Sequence, residues 1–79
     1  MEKMQGQAEI YKGGKLICRF STLRYDSTNK SMAHIRGAIT KRIKKEVKEL
    51  NADYAEAYIN YSVLPNGPFL TRGIGKVQP

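Results

Sequence analysis

Cysteine and histidine occur once each in this chain, as Cys18 and His34, and tryptophan does not occur. A single cysteine excludes an intramolecular disulfide, and together with one histidine it cannot build a CxxC or HxxH zinc site. A lone thiol inside an apolar strand pattern fits a reducing compartment, so a cytoplasmic location is expected. Long apolar runs are also missing. Residues 1–20 lack the apolar centre of a signal peptide, and nowhere do about 18 apolar residues follow one another. The expectation is therefore a soluble protein with no membrane association.

Catalytic groups are equally scarce. A nucleophile needs a neighbouring base, and His34 is the only side chain poised to titrate near neutral pH. A Cys18–His34 pair would have no third group to orient it, so a structural cysteine and a solvated histidine are the expected roles. Glu46 and Glu49 lie one helical turn apart, but Arg42 and Lys45 precede them by four residues and mark them as solvated helix charges. Neither GxGxxG nor GxxxxGK[ST] is present. Thr71-Arg72-Gly73-Ile74-Gly75-Lys76 could wrap a phosphate with backbone amides, or could be an irregular edge strand. No enzyme, cofactor or metal site is expected.

At 79 residues the chain forms one domain, residues 1–79, able to bury only about 60% of its unfolded surface. Without a disulfide or metal, self-association as a homodimer is the remaining supplement to so small a core.

Acidic residues are few. Fourteen Lys and Arg against seven Asp and Glu give a net charge of +7. Residues 1–50 hold twelve of the bases and five of the acids, and residues 51–79 hold two of each, so the excess lies wholly in the first fifty residues. Such segregation predicts an anionic partner.

Residues 1–6 are expected to fray. Gln7–Lys12 and Lys15–Phe20 form a hairpin whose Gly13-Gly14 turn supplies positive φ angles. With those turn residues, Tyr11, Glu9 and Gln7 share an inward face with Leu16, Cys18 and Phe20. The outward face then carries Lys12, Lys15, Ile10, Ile17, Ala8 and Arg19. Leu23–Lys30 forms a turn. Ser31 or Thr28 caps a helix running to about Leu50, because Met32, Ile35, Ile39, Ile43, Val47 and Leu50 recur at three- and four-residue steps. Asn51 tolerates the left-handed stop. Alternation over residues 54–63 predicts a third strand, although the alanines of Asp53–Tyr58 could extend the helix. The Pro65-Asn66-Gly67-Pro68 turn and a fourth strand over residues 69–77, weakened by Gly73 and Gly75, complete the chain. The pattern is ββαββ: an α+β two-layer sandwich with a mainly antiparallel sheet and one amphipathic helix on one face, its strand order open.

Lys41, Lys44, Lys45 and Lys48 fall opposite the apolar stripe, and Lys12, Lys15 and Arg19 lie on the hairpin, on what should be the other side of the sandwich. A lysine face serves solubility, but in so short a chain it also fits attraction to phosphate without base readout. Tyr54 and Tyr58, outward on the third strand, could stack bases, or with Ile10 and Ile17 could anchor a protein interface. The chain has no RNP-like aromatic run, no GxxG between helices and no metal ligand set. In size, charge and absent catalytic groups it resembles the compact proteins of phages and mobile elements, some of which block host nucleases or guide complexes; that likeness transfers no residue. Two readings follow. One is a module binding nucleic acid or nucleoprotein through the lysine face and the basic hairpin. The other is an inhibitor or adaptor docking on an acidic or nucleic-acid-binding protein surface.

Overall fold

The computed structural model describes residues 3–26, 31–62 and 70–79. Strands β1 (Lys3–Lys12), β2 (Lys15–Asp26), β3 (Tyr54–Ser62) and β4 (Leu70–Val77) form one antiparallel sheet in the order β2-β1-β3-β4, and helix α1 (Met32–Glu49) covers one face. The α+β ββαββ pattern expected from the sequence is the one observed. The Pro65–Pro68 turn and Thr28 lie outside the described residues.

The hairpin turns where expected, with φ of 60° at Gly13 and 76° at Gly14. Its faces are not those expected. Tyr11 pairs with Leu16, but Ile10 pairs with Cys18 and Ala8 with Phe20, so Ile17 is an extra residue in β2. Strand faces alternate with period two, and one inserted residue moves everything beyond it to the other face. The bulge resolves a conflict: without it Cys18 and Phe20 would share a face with Gln7 and Glu9. With it they lie beside Ala8 and Ile10, against the core. Ile10 is therefore fully buried, while Gln7, Glu9 and Tyr11 face away from the helix.

Residues 3–6 do not fray. Met4 is 1% exposed and belongs to the core. Opposite them β2 runs on through Leu23 to Asp26, where a turn was expected. A second register shift, between Gln5 and Gln7, accommodates Gly6. Its amide donates to Thr22 Oγ1 at 2.9 Å, and Thr22 Oγ1 donates to the Leu23 carbonyl at 2.8 Å. Thr22 is the one buried polar residue among those described.

Ser31 caps α1, its Oγ accepting from the His34 amide at 3.1 Å. At the other end Asn51 takes φ of 54°; its amide donates to the Lys48 carbonyl, and that of Ala52 to the Val47 carbonyl, both at 3.0 Å. This is the Schellman arrangement, which satisfies two of the last carbonyls of the helix. Ile35, Ile39, Ile43 and Val47 are buried against a sheet face built from small residues: Gly6, Ala8, Ala55 and Ala57, with Met4, Ile10 and Ile59 filling between them. The apolar stripe stops at Val47, since Leu50 is exposed. Burial of Ala55, Ala57 and Ile59 and not of Tyr54, Glu56 and Tyr58 confirms the strand reading of this segment.

Candidate nucleic-acid interface

Burial of Ile35, Ile39, Ile43 and Val47 fixes the rotation of α1, and that rotation fixes the lysines. At about 100° per residue, Lys41 and Lys48 fall on the crest opposite the buried stripe, with Lys44 and Lys45 on its two shoulders. All four are exposed. Lys45 Nζ lies 3.9 Å from Glu49 Oε1, whereas Lys41, Lys44 and Lys48 make no ion pair among the described residues. Arg42 borders this group, but its head is engaged elsewhere. Its guanidinium lies 4.7 Å from the Phe20 ring centroid and 3.3 Å from Glu46 Oε1, so it is committed to the side of the helix over β2. Ala38 and Arg42 flank the lysine stems on this open face.

Lys12 and Lys15 pair with each other beside the hairpin turn and are exposed. The sequence placed them opposite the helix face, but the tip is tied to the helix end. The Gly13 amide donates to Asp53 Oδ2 at 2.8 Å, and the Asp53 amide donates to the Tyr11 carbonyl at 3.0 Å. Asp53 follows the helix cap by three residues, so Lys12 and Lys15 sit at the Lys48 end of α1. Nothing local in the sequence signals this contact; it depends on the packing of α1 over the sheet.

The open face of the sheet has a different character. Arg19 Nε lies 3.7 Å from Glu9 Oε2, Glu9 is in register with Glu56, and Glu56 with Lys76. Arg19 therefore belongs to a charge-balanced row and not to the lysine face. Tyr11 and Tyr54 stack with centroids 5.1 Å apart and planes 17° apart, and Lys76 Nζ stands 4.3 Å from the Tyr54 centroid. Tyr11 comes from β1 on one flank of Tyr54 and Lys76 from β4 on the other, so both ring faces are occupied. Tyr58 is half-buried between Gln7 and Gly73. Asn60 Nδ2 donates to Gln7 Oε1 and Thr71 Oγ1 to Asn60 Oδ1, each at 2.8 Å, completing a polar ladder across three strands.

Of the four apolar anchors expected from the sequence, Ile10 is buried and meets no partner, and Tyr54 is engaged by its neighbours. Ile17 is 44% exposed at the bulge. Leu23, which sequence reading assigned to a turn, is 84% exposed on edge strand β2. Cys18 is half-buried on the helix side of the sheet, and His34 is exposed in the first turn of α1, where only its backbone amide is hydrogen-bonded among the described residues, to Ser31 Oγ. Among the described residues no three His, Cys, Asp or Glu side chains gather into a metal-binding group. No helix among them is long and apolar enough to cross a membrane. Gly75, at φ of 101°, and the extra residue Ile74 make the Thr71–Lys76 segment a bulged edge strand paired to β3.

Compared with known proteins, the chain matches no family model, no curated protein and no solved structure.

Proposed function

We propose that this chain is a small, basic, non-enzymatic binding protein that engages nucleic acid, free or within a nucleoprotein complex. The contact runs through Lys41, Lys44, Lys45 and Lys48, extended at one end by Lys12 and Lys15. The observation that supports this reading most is the lack of acidic partners for Lys41, Lys44 and Lys48 among the described residues, while Arg42 and Arg19 on other faces are paired. Four ammonium groups crowded on one face repel one another by a few tenths of a kcal/mol per close pair, and a polyanion relieves that repulsion while releasing its own counterions.

The test is the quadruple substitution of Lys41, Lys44, Lys45 and Lys48 to Gln, with oligonucleotide affinity measured at low and physiological salt. Loss of binding with an unchanged melting temperature is expected; unchanged affinity overturns the reading.

The exposed Leu16, Ile17 and Leu23 of β2 favour a second reading, an inhibitor or adaptor docked on an acidic or nucleic-acid-binding protein. It predicts no affinity for bare DNA or RNA at physiological salt, and it fails if oligonucleotides bind tightly while no protein is captured after nuclease treatment.

A further inference from the structure

We infer that the ligand of the lysine face is the phosphate backbone of a B-form DNA duplex, met at the mouth of the major groove without reading its sequence. This rests on the nucleic-acid reading above and narrows it.

Proteins that hold single strands combine a basic groove with aromatic side chains on which bases stack, and stacking supplies about 1–3 kcal/mol per base. Here the two features are on opposite surfaces. The outward face of α1 carries no Phe, Tyr or Trp, its one ring being the imidazole of His34 about two turns before Lys41. Tyr11, Tyr54 and Tyr58 stand on the far side of the sheet, with both faces of Tyr54 already covered, and Tyr25 and Tyr61 pack against the core. What the lysine face offers is charge alone. Binding by charge alone is driven by counterion release, which follows axial charge density: a duplex carries one charge per about 1.7 Å and releases about 0.9 counterion per phosphate neutralised, against about 0.7 for a single strand. An electrostatic face therefore favours the duplex.

The shape of the ridge selects among duplexes. A helix with its side chains is about 10–12 Å across, and the B-form major groove is about 12 Å wide. The A-form major groove is too deep and narrow for side chains to read. Lys44 and Lys45 splay about 100° apart around the axis, and Lys41 and Lys48 are separated by about 10 Å along it. The four ammonium groups thus reach toward the phosphates of both groove walls. Towards the helix N-terminus the same face carries exposed His34 and Gly37, with open space around Gly37. Little on this face favours base readout: α1 contains neither Asn nor Gln, Arg42 is engaged by Phe20 and Glu46, Arg36 lies off the crest, and the lysines present point-like ammonium charges, not a rigid bidentate fork.

The experiment is fluorescence anisotropy of the full chain with a DNA duplex of about 20 bp, one of its strands alone, and the RNA duplex of the same sequence, at several salt concentrations. The DNA duplex is expected to bind at least about tenfold tighter than the single strand, with log K falling against log salt at a slope of about −3 to −4 for four lysines. Two duplexes of unrelated sequence should agree within about threefold, and K44Q/K45Q should weaken both alike. Single-strand binding as tight as duplex binding overturns the inference and leaves the nucleic-acid reading standing. An RNA duplex bound as tightly as DNA overturns the groove assignment. No binding to any of the three overturns this inference and the broader reading together.

Discussion

Gly6 of β1 lies so close beneath Ile39 of α1 that a Cβ built on it would collide with Ile39 Cγ2 and stand 3.2 Å from Thr22 Cγ2. The helix that carries the lysines is seated at this point, and the absence of a side chain is what lets it approach. Gly6→Ala should destabilise the fold by about 1–3 kcal/mol, the usual cost of overpacking, seen as a melting point lower by about 4–8 °C per kcal/mol for a domain of this size. Adding Ile39→Leu, which lacks the β-branch that carries Cγ2, relieves the same contact and should recover part of the loss. A double variant no better than the sum of the two single ones would show that the strain lies elsewhere.

Thr22 meets the same glycine from the edge strand. Its hydroxyl accepts the Gly6 amide and is 4% exposed, so Thr22→Val leaves a buried N–H without a partner, at about 1–3 kcal/mol. Thr22→Ser keeps the acceptor and should cost less. Equal melting points for the two variants would contradict the role given to this bond.

How much of this was legible in the sequence follows from the range of the interactions involved. The helix and its Asn51 stop depend on neighbours within one turn and read correctly, and the cap was narrowed to Ser31 or Thr28, of which Ser31 is the one observed. The Gly13-Gly14 turn did too. The faces of the hairpin did not, because the bulge at Ile17 is decided by which residues must reach the helix, a contact distant in sequence. The lysine face was legible as the complement of the isoleucine stripe. Its extension by Lys12 and Lys15 was not, since it rests on two bonds between residues far apart in sequence, from the Asp53 amide to Tyr11 and from the Gly13 amide to the Asp53 side chain.

The bond from Gly13 to Asp53 makes its own prediction. Asp53→Ala removes the side-chain acceptor for Gly13 while leaving the backbone bond from Asp53 to Tyr11, and because the site is exposed the stability loss should be about 1 kcal/mol or less. The functional effect should exceed the structural one. If Lys12 and Lys15 contribute to binding from this position, Asp53→Ala should weaken affinity for the DNA duplex and flatten its salt dependence towards that of the Lys12→Gln/Lys15→Gln variant. Asp53→Asn, which retains an acceptor oxygen, should lie between the two. An unchanged salt slope in Asp53→Ala would separate the hairpin from the binding surface.

The Tyr11–Tyr54 stack tests the opposite surface. With centroids 5.1 Å apart and Lys76 over the outer ring, the pair closes one end of the open sheet face by its own contacts. Such aromatic pairs add about 0.5–1.5 kcal/mol beyond the area they bury, so Tyr54→Ala should lower the melting point measurably. A face that serves stability and takes no base in a stack should nevertheless leave duplex affinity within about twofold of the parent, because counterion release at the lysines is untouched. Tyr54→Phe preserves the stack and should match the parent in both measurements. A loss of nucleic-acid affinity in Tyr54→Ala larger than its loss of folded population would place the ligand on the sheet, and the helix lysines would then be a solvated face.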